Sequence, residues 1–276
     1  MGGEYLIFVM YQHLSLWFMS DTAEVRKSDF FTSSNAVSPV PDSEYARVES
    51  YVEMLECMSR LTYQSIYVID YWKKNFLYVS DNPLFLCGRT REEVLAKGYD
   101  FYFEVCEQSE LAALVEINEA AFRFYNRLPV ADRTAYSISY NFHIRDTVSG
   151  KSRLIHHKLS PMRLTPQGEM WLALCSVSLA SDGSELQARI VCENSPKVWD
   201  YSFEGRRWKE GEEDVLTDIE KAIISYSNRG MTIGEIADRL CKAVDTVKGY
   251  RKVLFQKLDV TNISEAIACA KSRRML

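Results

Sequence analysis

The chain has 276 residues, of which 47% are hydrophobic and 26% are charged, and its formal net charge at pH 7 is −5. This composition excludes a wholly disordered chain, and the length predicts about two domains. The seven cysteines form no CxxC pair and no regular spacing. That pattern excludes a disulfide framework and a zinc knuckle, and it favours a reducing compartment such as the cytoplasm.

The most apolar window lies at the N-terminus, over residues 5–19 (YLIFVMYQHLSLWFM). Fifteen helical residues are too short for a hydrocarbon core of about 30 Å, and the window contains Gln12 and His13. A signal peptide would begin with basic residues, whereas Glu4 stands there. We therefore expect either a docking helix or an N-terminal extension that packs poorly on the body, and no membrane partner. Residues 21–42 are rich in Ser, Asp and Pro and predict a linker, so residues 1–44 form an N-terminal extension and linker.

The middle of the chain alternates helical and strand patterns. Apolar residues recur at helical spacing over residues 45–61, and a capping-box pattern at Thr90–Glu93 opens a short helix. A longer helix is predicted over residues 109–125. Strands are predicted at residues 65–71, 76–80, 136–146, 152–163 and 170–179. Two strands, short helices, one longer helix and three strands predict an α+β fold with an antiparallel sheet covered by helices on one face.

This order resembles a PAS domain. The segment NFLYVSDNPLFLCGRTREEVLAKGY, residues 75–99, is similar to the family's strand, asparagine-proline turn and Gly-x-[Ser/Thr]-x-Glu-Glu helix. The resemblance covers residues 61–180, and with the leading helix we assign residues 45–181 to a PAS-like sensor domain. It implies a small sensory or dimerisation module with a pocket between the sheet and the long helix, which receives a small-molecule or protein signal.

The sequence leaves the content of that pocket open. The region is rich in aromatic residues, which either line a ligand cavity or fill a small core. Cys87 lacks the Asn-Cys-Arg-Phe-Leu-Gln motif of flavin-adduct photosensors, so we expect a buried free thiol. His156 and His157 are adjacent on a strand and must point to opposite faces, so they do not ligate one metal together. We predict no cofactor and no metal site, and the cofactor-binding residues stay unknown.

Residues 182–214 continue the strand pattern. Residues 186–191 and 198–203 are strand-like, and turns are predicted at Asn194–Pro196 and Glu204–Gly205. The charged run from Glu210 to Asp214 predicts a hinge. We expect a β-hairpin or a three-stranded extension that leads to the tail.

The tail, residues 215–276, has the pattern of four helices. Three capping boxes occur at Thr217–Glu220, Thr232–Glu235 and Asn262–Glu265, and Gly230 is suited to a helix end with positive φ. From Leu216 onward there are 11 lysines and arginines against 7 acidic residues. The tail therefore carries +4 and the rest of the chain −9, a division that fits a nucleic-acid-binding end. We predict an all-α helix-turn-helix domain.

The third predicted helix, Val244–Leu258, is amphipathic. Val247, Tyr250, Leu254 and Leu258 fall on one face with Arg251 at its edge, whereas Lys248, Gly249, Lys252, Val253 and Gln256 fall on the opposite face. A basic helical face of this length suits the major groove of B-DNA. The lysines can donate to guanine or to phosphates, and Thr246 at the helix start can bond a phosphate. The alternative reading is a solvated basic face.

The whole segment resembles the LuxR/FixJ-type DNA-binding domain. The signature is visible without gaps in LTDIEKAIISYSNRGMTIGEIADRLCKAVDTVKGYRKVLFQKLDVTNISEAIACA, residues 216–270. The resemblance implies four helices, with residues 244–258 as the recognition helix and residues 263–271 as a dimer contact. Its base-reading positions correspond to Lys248, Gly249 and Lys252. Its phosphate contacts correspond to Thr246, Arg251 and Lys257.

Four positions depart from the family pattern. Ala243 stands where a serine usually caps the recognition helix, and Asp259 replaces the usual glycine after it. Lys242 replaces an apolar residue, and Tyr250 stands where histidine is common. These departures bear on affinity and sequence preference more than on the fold.

The sequence therefore predicts a cytoplasmic transcriptional regulator that binds double-stranded DNA as a homodimer. The chain contains no GxxxxGK[ST], GxGxxG, HExxH or GxSxG motif, so we expect no enzyme and no catalytic residues. The alternative is a protein-interaction regulator whose helix-turn-helix tail serves dimerisation or partner docking.

Overall fold

The computed structural model describes residues 24–180, 186–193, 195–212, 216–272 and 275. The chain divides into two compact units, residues 1–178 and residues 179–276. The apolar window over residues 5–19 lies outside the described residues. Among the described helices, none combines the length and the apolarity that a bilayer crossing requires.

The described part of the first unit contains five α-helices and five strands. Its helices are α1 (Asp42–Ser59), α2 (Pro83–Leu86), α3 (Arg91–Lys97), α4 (Asp100–Val105) and α5 (Gln108–Tyr125). Its strands are β1 (Ser65–Asp70), β2 (Asn75–Val79), β3 (Tyr136–Arg145), β4 (Ser152–Leu164) and β5 (Met170–Leu179). The predicted order of two strands, helices and three strands is confirmed, and with it the α+β class.

The strands of this unit form a sheet in the order β2-β1-β5-β4-β3. The pairs β1–β2, β1–β5 and β3–β4 are antiparallel, and Tyr67 of β1 lies opposite Val79 on one side and Cys175 on the other. All six residues of β1 are buried. A strand buried on both sides must be covered by other elements on both faces of the sheet.

Helix α1 covers one of the two faces of the sheet. Val48 and Leu55 of this helix are buried in one apolar cluster with Ile66 and Val68 of β1 and with Trp171 of β5. The residues that alternate with these on β1 face the other way, where the ring of Tyr67 stacks on Phe85 of α2 at 4.3 Å. The leading helix is therefore part of the core of this unit.

Local sequence explains how the short helices begin. Thr90 and Glu93 form the predicted capping box of α3, and Gly98 ends that helix with φ +56°. Pro83 occupies the first turn of α2, where Asn82 caps the Leu84 N–H.

Two features of this unit differ from the sequence prediction. Helix α4 was not predicted. Residues 24–41 were predicted as part of a linker, but they contain two short 3₁₀ turns, at Lys27–Phe30 and Ser33–Asn35, and Phe30 and Asn35 are buried. The segment packs on the body because the ring of Phe30 lies among other aromatic rings of the first unit.

The second unit starts with a three-stranded antiparallel meander. Its strands are β6 (Ala188–Cys192), β7 (Lys197–Ser202) and β8 (Arg207–Glu212). Ion pairs across neighbouring strands join Arg189 to Asp200 at 2.7 Å and Lys197 to Glu210 at 2.6 Å. The predicted three-stranded extension is confirmed, but Glu210–Glu212 belong to β8 and not to a hinge.

Four helices complete the second unit. They are α6 (Asp218–Asn228), α7 (Ile233–Arg239), α8 (Val244–Leu258) and α9 (Ile263–Ser272). The capping boxes of α6 and α7 form as predicted, and Gly230 adopts φ +79° after α6. At α9, Asn262 caps the Glu265 N–H, while the Glu265 carboxylate accepts the Thr261 N–H. The predicted all-α four-helix domain is present.

Both ends of helix α8 lack a favourable capping residue. Its N-cap residue Ala243 makes no side-chain hydrogen bond, although its φ of −67° and ψ of 148° match those of the threonine caps. Its last turn closes on Asp259, which adopts the left-handed conformation at φ +54°. That conformation costs an L-residue about 1 kcal/mol relative to glycine.

We therefore expect Asp259→Gly to raise the free energy of unfolding of the helical domain by about 1 kcal/mol. Urea titration followed by far-UV circular dichroism measures the change. Asp259→Ala is the matched control, because it removes the same charge and leaves the backbone strain. Equal gains from both substitutions would show that charge, and not conformation, sets the effect.

Candidate nucleic-acid interface

The orientation of α8 is set by a buried apolar stripe. Val247, Leu254 and Leu258 are at most 1% exposed, and they belong to one core cluster with Ile223 of α6 and Ile236 of α7. Tyr250 is half-buried against the same cluster. Residues three, four and seven positions apart share one side of a helix, so burying this stripe turns the opposite side outward.

The outward side carries the residues that the sequence predicted there. Lys248, Gly249, Lys252, Val253 and Gln256 are all exposed. Val253 is 53% exposed. The predicted division of α8 into a buried and an exposed face is confirmed. The roles of the individual residues in DNA contact stay predictions.

Lys248 has a partner on its own helix. Its Nζ lies 2.9 Å from Asp245 Oδ1, one turn earlier, and their side chains are 60% and 89% exposed. Lys248 lowers the pKa of Asp245 by hydrogen bonding. An exposed pair of this kind is weak, so Lys248 can exchange Asp245 for another acceptor at little cost.

Arg251 lies at the edge of the buried stripe. Its guanidinium carbon is 5.4 Å from the centre of the Phe255 ring, and its Nε is buried with no hydrogen-bond partner. Arg251, Lys248 and Lys252 border one shallow surface depression, which also contains Phe255 and Gln256. The structure thus brings three of the six predicted residues together, two from the base-reading set and one from the phosphate set.

The start of α8 has free backbone donors. Thr246 is exposed, and the first intrahelical bond runs from the Val247 N–H to the Ala243 carbonyl at 3.2 Å. Since Ala243 offers no side-chain acceptor, the N–H groups of the first turn are not capped by it. Such a helix start, with its partial positive charge, is suited to an anion such as a phosphate.

Lys257 is held inside the domain. Its Nζ lies 3.0 Å from Glu220 Oε2, and the two side chains are only 22% and 5% exposed. Glu220 also accepts the Thr217 N–H in the capping box of α6. Burial would raise the pKa of Glu220, but the Thr217 N–H and Lys257 outweigh that effect and lower it. A phosphate contact by Lys257 would require this pair to break, and we assign Lys257 a role in joining α8 to α6.

We expect Lys257→Ala to lower the free energy of unfolding by about 2 to 4 kcal/mol, because it leaves the buried Glu220 carboxylate unpaired. Lys248→Ala is the matched control and should leave the stability almost unchanged, since its pair is exposed. Urea titration measures both. A loss of DNA affinity in Lys257→Ala without a loss of stability would favour the phosphate contact.

The same pair predicts an acid-sensitive step. The pKa of Glu220 is lowered in the folded state, so its contribution to stability is complete above its ordinary pKa of 4.5 and is lost as the pH falls through the lowered value. Glu220→Gln should reduce the dependence of the free energy of unfolding on pH in this range.

The first unit contains a small, partly open cavity between its sheet and its helices. The cavity has a volume of about 30 Å³ and is bordered by Tyr71, Tyr99, Tyr102 and Tyr140. It can hold a water molecule and is too small for an organic ligand. The aromatic residues of this unit therefore act mainly as core, one of the two readings that the sequence left open.

A buried polar network lies next to this cavity. The Tyr67 hydroxyl is 2.6 Å from both the Tyr102 hydroxyl and His157 Nε2. Burial lowers the pKa of His157 to about 3, so its ring is neutral, and its Nδ1 is buried without a hydrogen-bond partner. His156 bonds Asn141 on the other face of β4, which agrees with the predicted division of the two histidines. Cys87 is buried, as expected.

Two of these contacts were invisible in the sequence. The pair of Glu220 and Lys257 joins residues 37 positions apart, and a capping-box glutamate gives no sign of a second partner. The network of Tyr67, Tyr102 and His157 depends on sheet register, for which hydrophobic periodicity is not a guide.

One protein-family model matches the tail of the chain. Residues 214–270 match the model of "Bacterial regulatory proteins, luxR family". No curated protein matches the chain. The matched region covers α6 to α8 and most of α9, so it contains every residue of the interface described above.

Solved structures similar to this chain include three VqmA structures. A phage VqmA–DPO complex is 16% identical over 82% of this chain and 90% of that chain, with a TM-score of 0.27. A Vibrio cholerae VqmA dimer without target DNA is 16% identical over 81% and 88%, with a TM-score of 0.28. A Vibrio cholera VqmA–ligand–DNA complex is 15% identical over 80% and 86%, with a TM-score of 0.27. Scores this low do not establish a shared fold. The family match does establish that residues 214–270 form a LuxR-type regulatory domain.

Proposed function

We propose that the chain is a DNA-binding transcriptional regulator in which α8 enters the major groove. The observation that carries this proposal is the exposed basic face of α8 within a LuxR-type domain. Lys248 and Lys252 donate to base edges such as guanine O6 and N7, and Gly249 between them lets the backbone approach the bases. A helix of 15 residues is about 22 Å long, enough to read one segment of the groove.

Phosphate contacts supply most of the affinity. Thr246 and the uncapped N–H groups of the first turn face one phosphate, and Arg251 faces another. Each phosphate neutralised by a cation contributes about 0.9 to the slope of log affinity against log salt concentration. Lys257 takes no part in this set, because it is paired with Glu220.

The protein binds DNA as a homodimer. Helix-turn-helix dimers present two recognition helices about 34 Å apart, one turn of the duplex, so the operator is two-fold related. Helix α9 forms part of the dimer contact. The first unit changes how the two tails are paired in response to a signal. The role is regulatory and not catalytic, and it is carried out in the cytoplasm, where bacterial DNA lies.

A second candidate function is a protein-interaction regulator whose tail docks a partner. The exposed Asp245 on the reading face and the strained Asp259 beside it favour this alternative, since acidic groups repel phosphates. The two functions differ in salt dependence, which is steep for DNA binding and absent in the tail-docking reading.

We expect Lys248→Ala combined with Lys252→Ala to weaken binding to genomic DNA fragments at least tenfold, because both base contacts are lost. Most of the salt slope should remain, because the phosphate contacts set it. Gel-shift titrations at several salt concentrations measure both quantities. Lys209→Ala on β8 is a control that removes an exposed lysine outside α8, and it should leave both the affinity and the slope unchanged. If the double variant and the control bind alike, α8 does not read DNA and the second function is favoured.

We expect Gly249 to lower the stability of α8 and to let the α8 backbone approach DNA. An alanine Cβ there would meet no atom within 4 Å in the free protein, and glycine inside a helix costs about 0.5 to 1 kcal/mol relative to alanine. Gly249→Ala should therefore raise stability by that amount and weaken DNA binding. Gly234→Ala in α7, where the space is equally open, is the control and should leave DNA binding unchanged. Tighter binding by Gly249→Ala would show that no close approach occurs there.

A further inference from the structure

An acidic residue lies on the exposed basic face of α8. Asp245 is the second residue of the helix, and its side chain is 89% exposed. It stands seven positions before Lys252, so the two residues fall on the same side of the helix. The N-terminal residues of a recognition helix are the ones that reach base edges. In the proposed complex, Asp245 therefore enters the major groove together with the lysines.

A carboxylate in this position opposes binding to the DNA backbone. Phosphates offer negative charge and acceptor atoms, and an ionised carboxylate has no donor to give them. Lys248 lowers the pKa of Asp245 by hydrogen bonding, so the carboxylate is charged at neutral pH. The repulsion is the same at every DNA sequence, because every sequence carries the same phosphates. Only a contact with a base can offset it at particular sequences.

The major groove offers two donors to a carboxylate, the amine of cytosine at N4 and the amine of adenine at N6. Each amine lies beside an acceptor of the paired base, which is guanine O6 or thymine O4. The protein presents the complementary arrangement, because Lys248 Nζ lies 2.9 Å from Asp245 Oδ1. The pair of Asp245 and Lys248 therefore matches a neighbouring donor and acceptor on the edge of one base pair.

The chemistry of this pair favours C·G over A·T. An ammonium group has three donors and a carboxylate has about four acceptor sites, so the bond between them leaves both with free capacity. Guanine presents O6 and N7 to the ammonium group, whereas thymine presents O4 beside its methyl group. Cytosine N4 is also the base donor to which aspartate is best matched. A C·G pair thus satisfies more of the donors and acceptors of Asp245 and Lys248.

We propose that Asp245 is a specificity-determining residue, which accepts a hydrogen bond from cytosine N4 while Lys248 donates to the guanine of the same base pair. At sequences without that base pair, the charge of Asp245 is not compensated and lowers the affinity. The inference rests on the proposed DNA-binding function. It adds a residue that weakens non-specific binding and a base pair that each half of the operator contains.

The test uses the full chain and a pool of random-sequence DNA duplexes, from which the duplexes that each protein binds are enriched. Sequencing of the enriched duplexes gives the base preference, and gel shifts compare their affinity with that of the unselected pool. Asp245→Ala removes the carboxylate. Asp218→Ala is the matched control, because Asp218 is also an exposed acidic residue in the first turn of a helix but lies on α6.

In Asp245→Ala we expect the affinity for the unselected pool to rise about threefold or more, because a repulsive charge is lost. The preference for duplexes enriched by the wild type should fall at least about fivefold, with cytosine losing its enrichment at one position of each half-site. Asp218→Ala should keep the preference of the wild type. An unchanged base preference in Asp245→Ala would overturn the proposal. An equal loss of affinity for both kinds of duplex would also overturn it, since that is the result if Asp245 only stabilises the start of α8.

Replacement of that cytosine by N4-methylcytosine gives a second measurement. The methyl group takes the place of the amine hydrogen that faces the groove and leaves the base pair intact. It should weaken binding of the wild type at least about fivefold and leave binding of Asp245→Ala nearly unchanged. Equal effects on the two proteins would contradict the contact. Salt-dependent binding of the wild type to the unselected pool tests the DNA-binding function by itself, so that function can hold while this inference fails.

Discussion

The interface depends on the burial of the apolar stripe of α8. Val247, Leu254 and Leu258 are almost fully inaccessible, and each buried side chain of this kind contributes about 1.5 to 3 kcal/mol. That free energy fixes the rotation of α8 about its own axis, and the lysines then point outward with no further requirement. The pair of Lys257 and Glu220 joins the C-terminal half of α8 to α6. Lys257 therefore does not lie with Lys248 and Lys252 on the exposed face.

Both ends of α8 lower the stability of the helix. An uncapped start and a left-handed Asp259 each forgo about 1 kcal/mol that a serine and a glycine would provide. Both positions border the interface, and functional surfaces are where local rules of stability are commonly relaxed. The uncapped start keeps backbone donors available for an anion. The acidic Asp259 has no such benefit for DNA binding, and we have no physical account of why it is present.

Much of the fold was predictable because it follows hydrophobic period and capping. The bounds of α8 are those predicted, and the strands β3, β4 and β5 agree within a residue at each end. Residues 24–41 were mistaken for linker because Phe30 and Phe31 are the only aromatic residues in a segment rich in polar residues. Only the tertiary structure shows the Tyr99 ring that both of them contact. For the interface, the sequence identified which residues are exposed, but it could not show that Lys257 is paired with a residue on another helix.

The central claim is that Lys248 and Lys252 contact a duplex while Lys257 does not. Lysine acetylation footprinting of the full chain, read by mass spectrometry with and without genomic DNA fragments, tests this claim most directly. The account predicts that DNA protects Lys248 and Lys252 several-fold and leaves the modification of Lys257 and Lys209 unchanged. Equal modification of Lys248 and Lys252 in free and DNA-bound protein would contradict it.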